Sequence, residues 1–472
     1  MSQLNEKLVQ PRESSGAMPQ NLSEARKLLI NFVTMTVCFS LNHASVTSCI
    51  ALATSSGLPG NLGSYSVAVL YACYVVTAML FSQVIIFYCS QKGSLTGSLA
   101  VYALYVASYL VAALVESDTV KWVAVLFGAS IGGIGAGVLW TAQGAYYSEN
   151  ARLYALAKGV TKEEATGYFG SIFACFYLGF EVLLKIIGSV VGLYATGDAA
   201  KYAIYILYTA IAIGSTVGMT TVRNMRAEDT VGGDGVTIEK IDMTKKVLSA
   251  LKLLFTNAKC ALMVPTNFAF GFAAAFITAY IQGSVVSPVY SDDGHTDDEV
   301  ADSQSQHDAR VLLYSSIAVG VATAMSMPFF YLKKQAGTAV VMVLGAICFV
   351  FVAAMSYALD DGELRHALWI VYIVYGCGRS IWESTTKAVF ADFFPDDPQA
   401  AFANIVLQSG LASTVAFFVF PDLSPLQKEV ILGVTATLGA ICFSIASFIH
   451  QGEQKAKEVE GGYMSVNDDN QV

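Results

Sequence analysis

Twelve apolar segments, each about 20 residues long or longer, fill most of this chain, and a segment of that kind has one favourable environment. At 1.5 Å rise per residue it crosses the roughly 30 Å hydrocarbon core of a bilayer as a helix. The segments run over residues 28–54, 64–88, 94–114, 119–147, 167–194, 200–220, 260–283, 310–331, 337–358, 366–390, 401–420 and 428–450. None shows the short polar/apolar alternation of a membrane barrel. In lipid every backbone amide must bond within its own segment, so helices are the remaining solution. The expected fold is an all-α, twelve-span membrane protein.

Composition supports this: 55% of the 472 residues are hydrophobic and 13% charged, whereas soluble domains carry about 25% charge. The net charge of −9 comes largely from the acidic stretch Ser291–Asp308 and the tails, and no basic groove for nucleic acid is visible. Of the 27 Lys and Arg, 19 fall in the tails and the even-to-odd connections, five at the opposite connections and three inside helices. Positive charge is retained on the cytoplasmic side, so both termini are expected there. The segment after the polar tail Met1–Lys27 is too long for a signal-peptide core and has no cleavage pattern.

The longest cytoplasmic connection divides the chain. A tail (1–27) precedes a six-helix half (28–220), a linker (221–259), a second six-helix half (260–450) and a second tail (451–472). Within the linker, Ile241, Val247, Leu248, Leu251, Leu254 and Phe255 recur at helical spacing with Lys245, Lys246 and Lys252 between them, as in a helix lying on the inner leaflet. Six plus six with such a linker is the plan of major-facilitator transporters. The halves echo each other as parallel repeats should. Gly137, Trp140, Gln143 and Glu149 at the end of the fourth span are answered by Gly378, Trp382, Thr385 and Asp392 in the tenth.

At these residues the chain resembles a family. Leu62-Gly63 with Leu70-Tyr71, the run Gly128–Tyr147 with its LWTAQGAY core, Trp382-Glu383 and the AAFAN stretch Ala400–Asn404 are similar to the Unc-93-like, ion-channel regulatory proteins, over about residues 28–450. The resemblance implies a major-facilitator fold, and a role in potassium-channel regulation, membrane-protein trafficking or solute transport. One departure concerns the connection after the second helix. It reads Tyr88-Cys89-Ser90-Gln91-Lys92-Gly93-Ser94, without the Asp-Arg gating motif usual in facilitators, which puts ordinary alternating access in doubt.

Chemistry is expected where charge enters the membrane, because an ionisable side chain at a helix centre costs at least about 2.5–3.5 kcal/mol. Arg379, Glu383 and Lys387 are spaced i, i+4, i+8 and share one face of the tenth span, either lining a pathway or forming a structural ion-pair ladder. Glu181 and Lys185 form a second i, i+4 pair in the fifth, open to the same two readings. Asn42 and His43 lie mid-span in the first, where facilitators often bind substrate and where a buried His can equally serve packing. Trp140 and Gln143 either line the cavity or anchor the interface, and Trp382 joins them as a pathway candidate. Gly128, Gly132 and Ala136, with Gly133 and Gly137, form small-residue stripes suited to close helix packing.

The loop Ser284–Ala309 carries seven carboxylates, and a charge run of this kind is usually a solvated surface. Nine cysteines occur singly in or at the ends of spans, with no paired metal-ligand spacing, and no P-loop, HExxH, GxSxG or dinucleotide fingerprint is present. An enzyme, a metal and a cofactor are therefore not expected. Tyr463-Met464-Ser465-Val466 has the Tyr-x-x-apolar form read by endocytic adaptors, and Glu24–Leu29 an acidic-dileucine form. The reading is a transporter of a small solute or ion in the plasma or an endolysosomal membrane. Its alternative is a regulator of a potassium channel or a chaperone for another membrane protein.

Overall fold

The computed structural model describes residues 21–55, 57–194, 198–225, 243–286, 297–395 and 397–468, and every regular element among them is helical. The first half holds α1 (Leu22–Leu52), α2 (Leu62–Leu80), α3 (Ser82–Leu114), α4 (Asp118–Lys158), α5 (Lys162–Tyr194) and α6 (Asp198–Met219). The linker contributes α7 (Met243–Thr256). The second half holds α8 (Ala258–Leu262), α9 (Val264–Ala275) running into a π-helix (Phe276–Val285), α10 (Asp297–Ala336), α11 (Thr338–Ala358), α12 (Asp361–Phe393), α13 (Pro398–Val419) and α14 (Pro425–Asp468). Counting α8, α9 and the π-helix as one broken span, each half has six.

Eleven of these twelve described spans are long and apolar enough to cross a membrane. The twelfth, α12, has 33 residues but carries the charges of the tenth segment, which lower its hydropathy. Hydropathy misses several helix ends because helices continue into water once the apolar run stops. Thus α4 extends to Lys158, where Gly159 at φ 72° closes it, and α14 extends to Asp468. The turn after the second span falls at Ser90, whose φ of 64° breaks the helix path inside α3, within the Tyr88–Ser94 connection.

Small residues fix the packing of the first half. A Cβ at Gly133 would lie 2.3 Å from the Leu70 carbonyl oxygen and one at Gly137 2.7 Å from the Ala78 nitrogen, so α4 and α2 touch backbone to backbone. Gly128 and Gly132 instead leave room for the side chains of Ser108 and Tyr105 of α3. The halves meet along two seams, α2 against α13 and α5 against α10. The linker helix α7 docks on the second half, where the Asn404 amide donates to the Ala250 carbonyl at 2.9 Å and the Ser249 hydroxyl to Asp397. Leu253 and Leu254 pack inward while Phe255 is exposed. Ile241 and the side chains of Lys245, Lys246, Val247 and Leu248 lie outside the described residues.

The bundle has a tail end, where α1 begins and α14 finishes, and a far end. Hydrogen bonds joining described residues of the two halves gather at the far end. The Thr54 hydroxyl donates to the Thr278 carbonyl at 2.5 Å and Ser305 to the Gly192 carbonyl at 2.8 Å. The Gln304 amide donates to the Ser55 carbonyl and, at 2.8 Å, to Asp308. Among the described residues, these bonds hold the two halves together at the far end.

Candidate functional site

The two charged pairs of the sequence form one network across the seam. Glu181 accepts from Lys185 Nζ at 2.5 Å within α5, and both side chains are almost fully buried. The other Glu181 oxygen lies 3.7 Å from Arg379 Nη2 of α12, and Arg379 Nε donates to Glu383 at 2.8 Å. The order Lys185–Glu181–Arg379–Glu383 alternates in sign and couples the halves at mid-depth. Helical spacing exposes each i, i+4 pair, but the bridge between α5 and α12 has no local signature.

The expected three-residue ladder of α12 stops at Glu383. Lys387 is exposed and forms no ion pair among the described residues. Glu383 is already held by Arg379, and a second, solvated pair adds at most about 1 kcal/mol. Exposure rises along the network: Lys185 and Glu181 side chains show 4% and 3% of their surface, Arg379 18% and Glu383 40%. Glu383 is thus exposed beside buried Trp382, Thr385 and Thr386, and an exposed carboxylate within a span is expected to face water rather than lipid.

Asn42 and His43 diverge, as neighbours about 100° apart on a helix must. Asn42 turns to the interior of its own half and donates to the carbonyls of Leu99 (3.2 Å) and Ala212 (2.9 Å), tying α1 to α3 and α6. His43 turns to α4 and α5. Its Nε2 is 3.0 Å from the Tyr177 hydroxyl, and its ring meets Tyr177 at 5.1 Å and, edge on, Trp140 at 5.3 Å. Tyr177 stands one turn before Glu181, so His43 and Trp140 adjoin the network, whereas Asn42 braces the bundle. Glu181 Oε2 and His43 Nδ1, like Asn42 Oδ1 beside them, are buried and have no hydrogen-bond partner among the described residues.

Gln143 is buried farther along α4. Trp382 packs between Phe349 of α11 (5.5 Å) and Phe270 of α9 (6.5 Å), inside the second half, with its indole N–H unpaired among the described residues. Tyr71, Tyr177 and Tyr375 also lie within electrostatic reach of the network, a tyrosine lining that apolar periodicity does not separate from ordinary core. The backbone of α14 reaches past Tyr463 and Val466, whose side chains lie outside the described residues. Among the described residues, no three His, Cys, Asp or Glu side chains converge as a metal site requires.

Residues 56–444 match the family model described as ion channel regulatory protein UNC-93. UNC93-like protein 3 of Arabidopsis thaliana is 23% identical over 370 residues, covering 77% of this chain and 75% of that protein. Protein unc-93 homolog A of Xenopus laevis is 20% identical over 468 residues, covering 91% and 95%. Among solved structures, a variant of the nucleoside transporter NupG aligns with a TM-score of 0.62 at 12% identity, covering 89% of this chain and 99% of that one. A D-xylose-proton symporter aligns with a TM-score of 0.62 at 14% identity, covering 88% and 96%. At these identities the likeness establishes the fold, that of the major facilitators, and nothing about substrate.

Proposed function

Because this chain belongs to the UNC-93 family and is a multi-pass membrane protein with a facilitator fold, we propose that it transports a small solute or ion by rocking its two halves about the buried charge network. The observation that carries this reading is the Lys185–Glu181–Arg379–Glu383 chain. It links the halves at mid-depth, leaves a buried carboxylate oxygen without a hydrogen bond and ends in a solvated carboxylate. Buried charge of this kind is costly in a membrane and is characteristic of substrate and ion pathways. A solute that competes for Glu383 or Arg379 exchanges one set of charge-assisted hydrogen bonds for another and so couples its binding to the seam.

The lysine and arginine bias supports a cytoplasmic tail end, which makes this conformation closed to the outside. Tyr463 and Val466 support passage through endolysosomal membranes as well as the plasma membrane. The family description and the absence of an Asp-Arg motif around Ser90 favour a second reading, regulation of a potassium channel or escort of another membrane protein. The experiment is a flux screen over cations and small organic solutes in liposomes containing the purified chain, with Glu383→Gln beside it. The transport reading expects saturable flux of at least one solute that Glu383→Gln abolishes while the protein remains folded. A wild type silent for every solute, yet altering currents of a co-expressed potassium channel, establishes the second reading instead.

A further inference from the structure

The far end is poor in positive charge, yet two of its arginines converge. A cavity of about 550 Å³ opens there between α5, α10 and α12, and Arg310, Arg365 and His366 all line it. Arg365 Nε donates to the Val285 carbonyl at 2.9 Å and so closes the end of the π-helix, and among the described residues its two terminal guanidinium nitrogens take part in no hydrogen bond or ion pair. Arg310 and His366 are exposed, and neither takes part in a hydrogen bond or ion pair among the described residues. The carboxylates of Asp361 and Glu363 stand on the same first turns of α12 and are exposed to solvent. Neither lines the cavity. The cavity is also lined by apolar groups: Leu193 of α5, Val286, and Leu313 with the Tyr314 ring of α10.

We propose that this pocket binds an oxyanion carried on an apolar body, a carboxylate or phosphate ester of soluble or lipid origin. The volume falls in the range of small-molecule sites, about 300–1,000 Å³, and is far larger than a bare inorganic anion needs. Guanidinium groups bind carboxylate and phosphate through paired N–H donors, and the walls beside them accept a hydrocarbon or ring. The pocket spans the seam: Ser189 and Leu193 come from the first half and the cationic groups from the second, next to the Ser305–Gly192 hydrogen bond. A bound amphiphilic anion therefore ties α5 to α10 and α12 and favours the closed far end. Binding itself is independent of the transport reading, and only this consequence for the seam rests on it.

The test is thermal melting of the purified full chain with sodium octanoate, octyl phosphate, inorganic phosphate or octanol, in detergent and in phosphatidylcholine nanodiscs with or without phosphatidic acid. A ligand bound to the native state raises the melting temperature saturably. Octanoate and octyl phosphate are expected to do so in both settings if the anion is soluble, and phosphatidic acid alone in nanodiscs if it is a lipid. Octanol is expected to have no effect. The exposed Arg310→Gln change, alone and with His366→Gln, should weaken the apparent affinity about ten-fold or more. Equal shifts by inorganic phosphate and octyl phosphate remove the apolar body from the proposal. Absence of a saturable shift with every probe, or an undiminished shift in both variants, overturns it. Because melting reads binding and flux reads transport, failure of one is distinguishable from failure of the other.

Discussion

Replacing Glu181 with Gln separates the energetic role of the network from its exposed end. Glu181 is 2% exposed and is the shared partner of Lys185 at 2.5 Å and Arg379 at 3.7 Å. Charges 3.7 Å apart attract by about 4–5 kcal/mol at an effective dielectric constant of ~20, before the cost of desolvating them. In Glu181→Gln, Arg379 keeps Glu383, but Lys185 is left buried without a carboxylate, a loss of about 3–5 kcal/mol. Glu383→Gln removes a carboxylate that is 40% exposed, where a solvated pair contributes about 1 kcal/mol or less. The double change Glu181→Gln with Lys185→Met removes both buried charges and keeps approximate shape, so it should recover most of the loss. Thermal melting monitored by size-exclusion fluorescence reads the order: wild type and Glu383→Gln together, the double variant close below, and Glu181→Gln well beneath. A Glu181→Gln protein that melts with the wild type, or a double variant as unstable as the single, refutes the reasoning.

Gly133→Ala places a Cβ 2.3 Å from the Leu70 carbonyl oxygen and should cost about 1–3 kcal/mol by prising α4 from α2. Gly144→Ala, with nothing within 4 Å, should melt like the wild type, and equal melting of the two variants contradicts the packing account. In a background lacking the nine native cysteines, Ser14→Cys and Ser465→Cys should react with an impermeant reagent only after membranes are opened, and Ser303→Cys from outside intact cells. Tail labelling in intact cells refutes the cytoplasmic placement. Tyr463→Ala should move the protein toward the plasma membrane in imaged cells, and an unchanged distribution removes the endolysosomal reading.

Spans and charged pairs are legible in the sequence because length and i, i+4 spacing are local properties. The Arg379–Glu383 pair is visible in this way, and so is Glu181–Lys185. The bridge from Glu181 to Arg379 is not, since nothing along the 197 intervening positions encodes that α5 meets α12. Lys387 satisfies the same spacing as Arg379 and still stands outside the network, because periodicity reports a helical face and not its depth in water. Asn42 and His43 look like one polar pair until helical rotation sends one into the bundle and the other to the seam. The far-end closure by Thr54, Gln304 and Ser305 uses carbonyl acceptors, to which side-chain identity gives no clue.

The central claim, that the halves rock about the network, is tested most directly by spin-label distances at both ends of the bundle. Val120 and Asp361 are exposed far-end positions on opposite halves, and Leu156 and Lys334 are their tail-end counterparts. Electron–electron resonance on each labelled pair in liposomes should show two distance populations. The far-end distance should lengthen as the tail-end distance shortens, and Glu383→Gln should shift the balance between them. A single unchanging distance at both ends, under every solute, describes a rigid scaffold and contradicts the account.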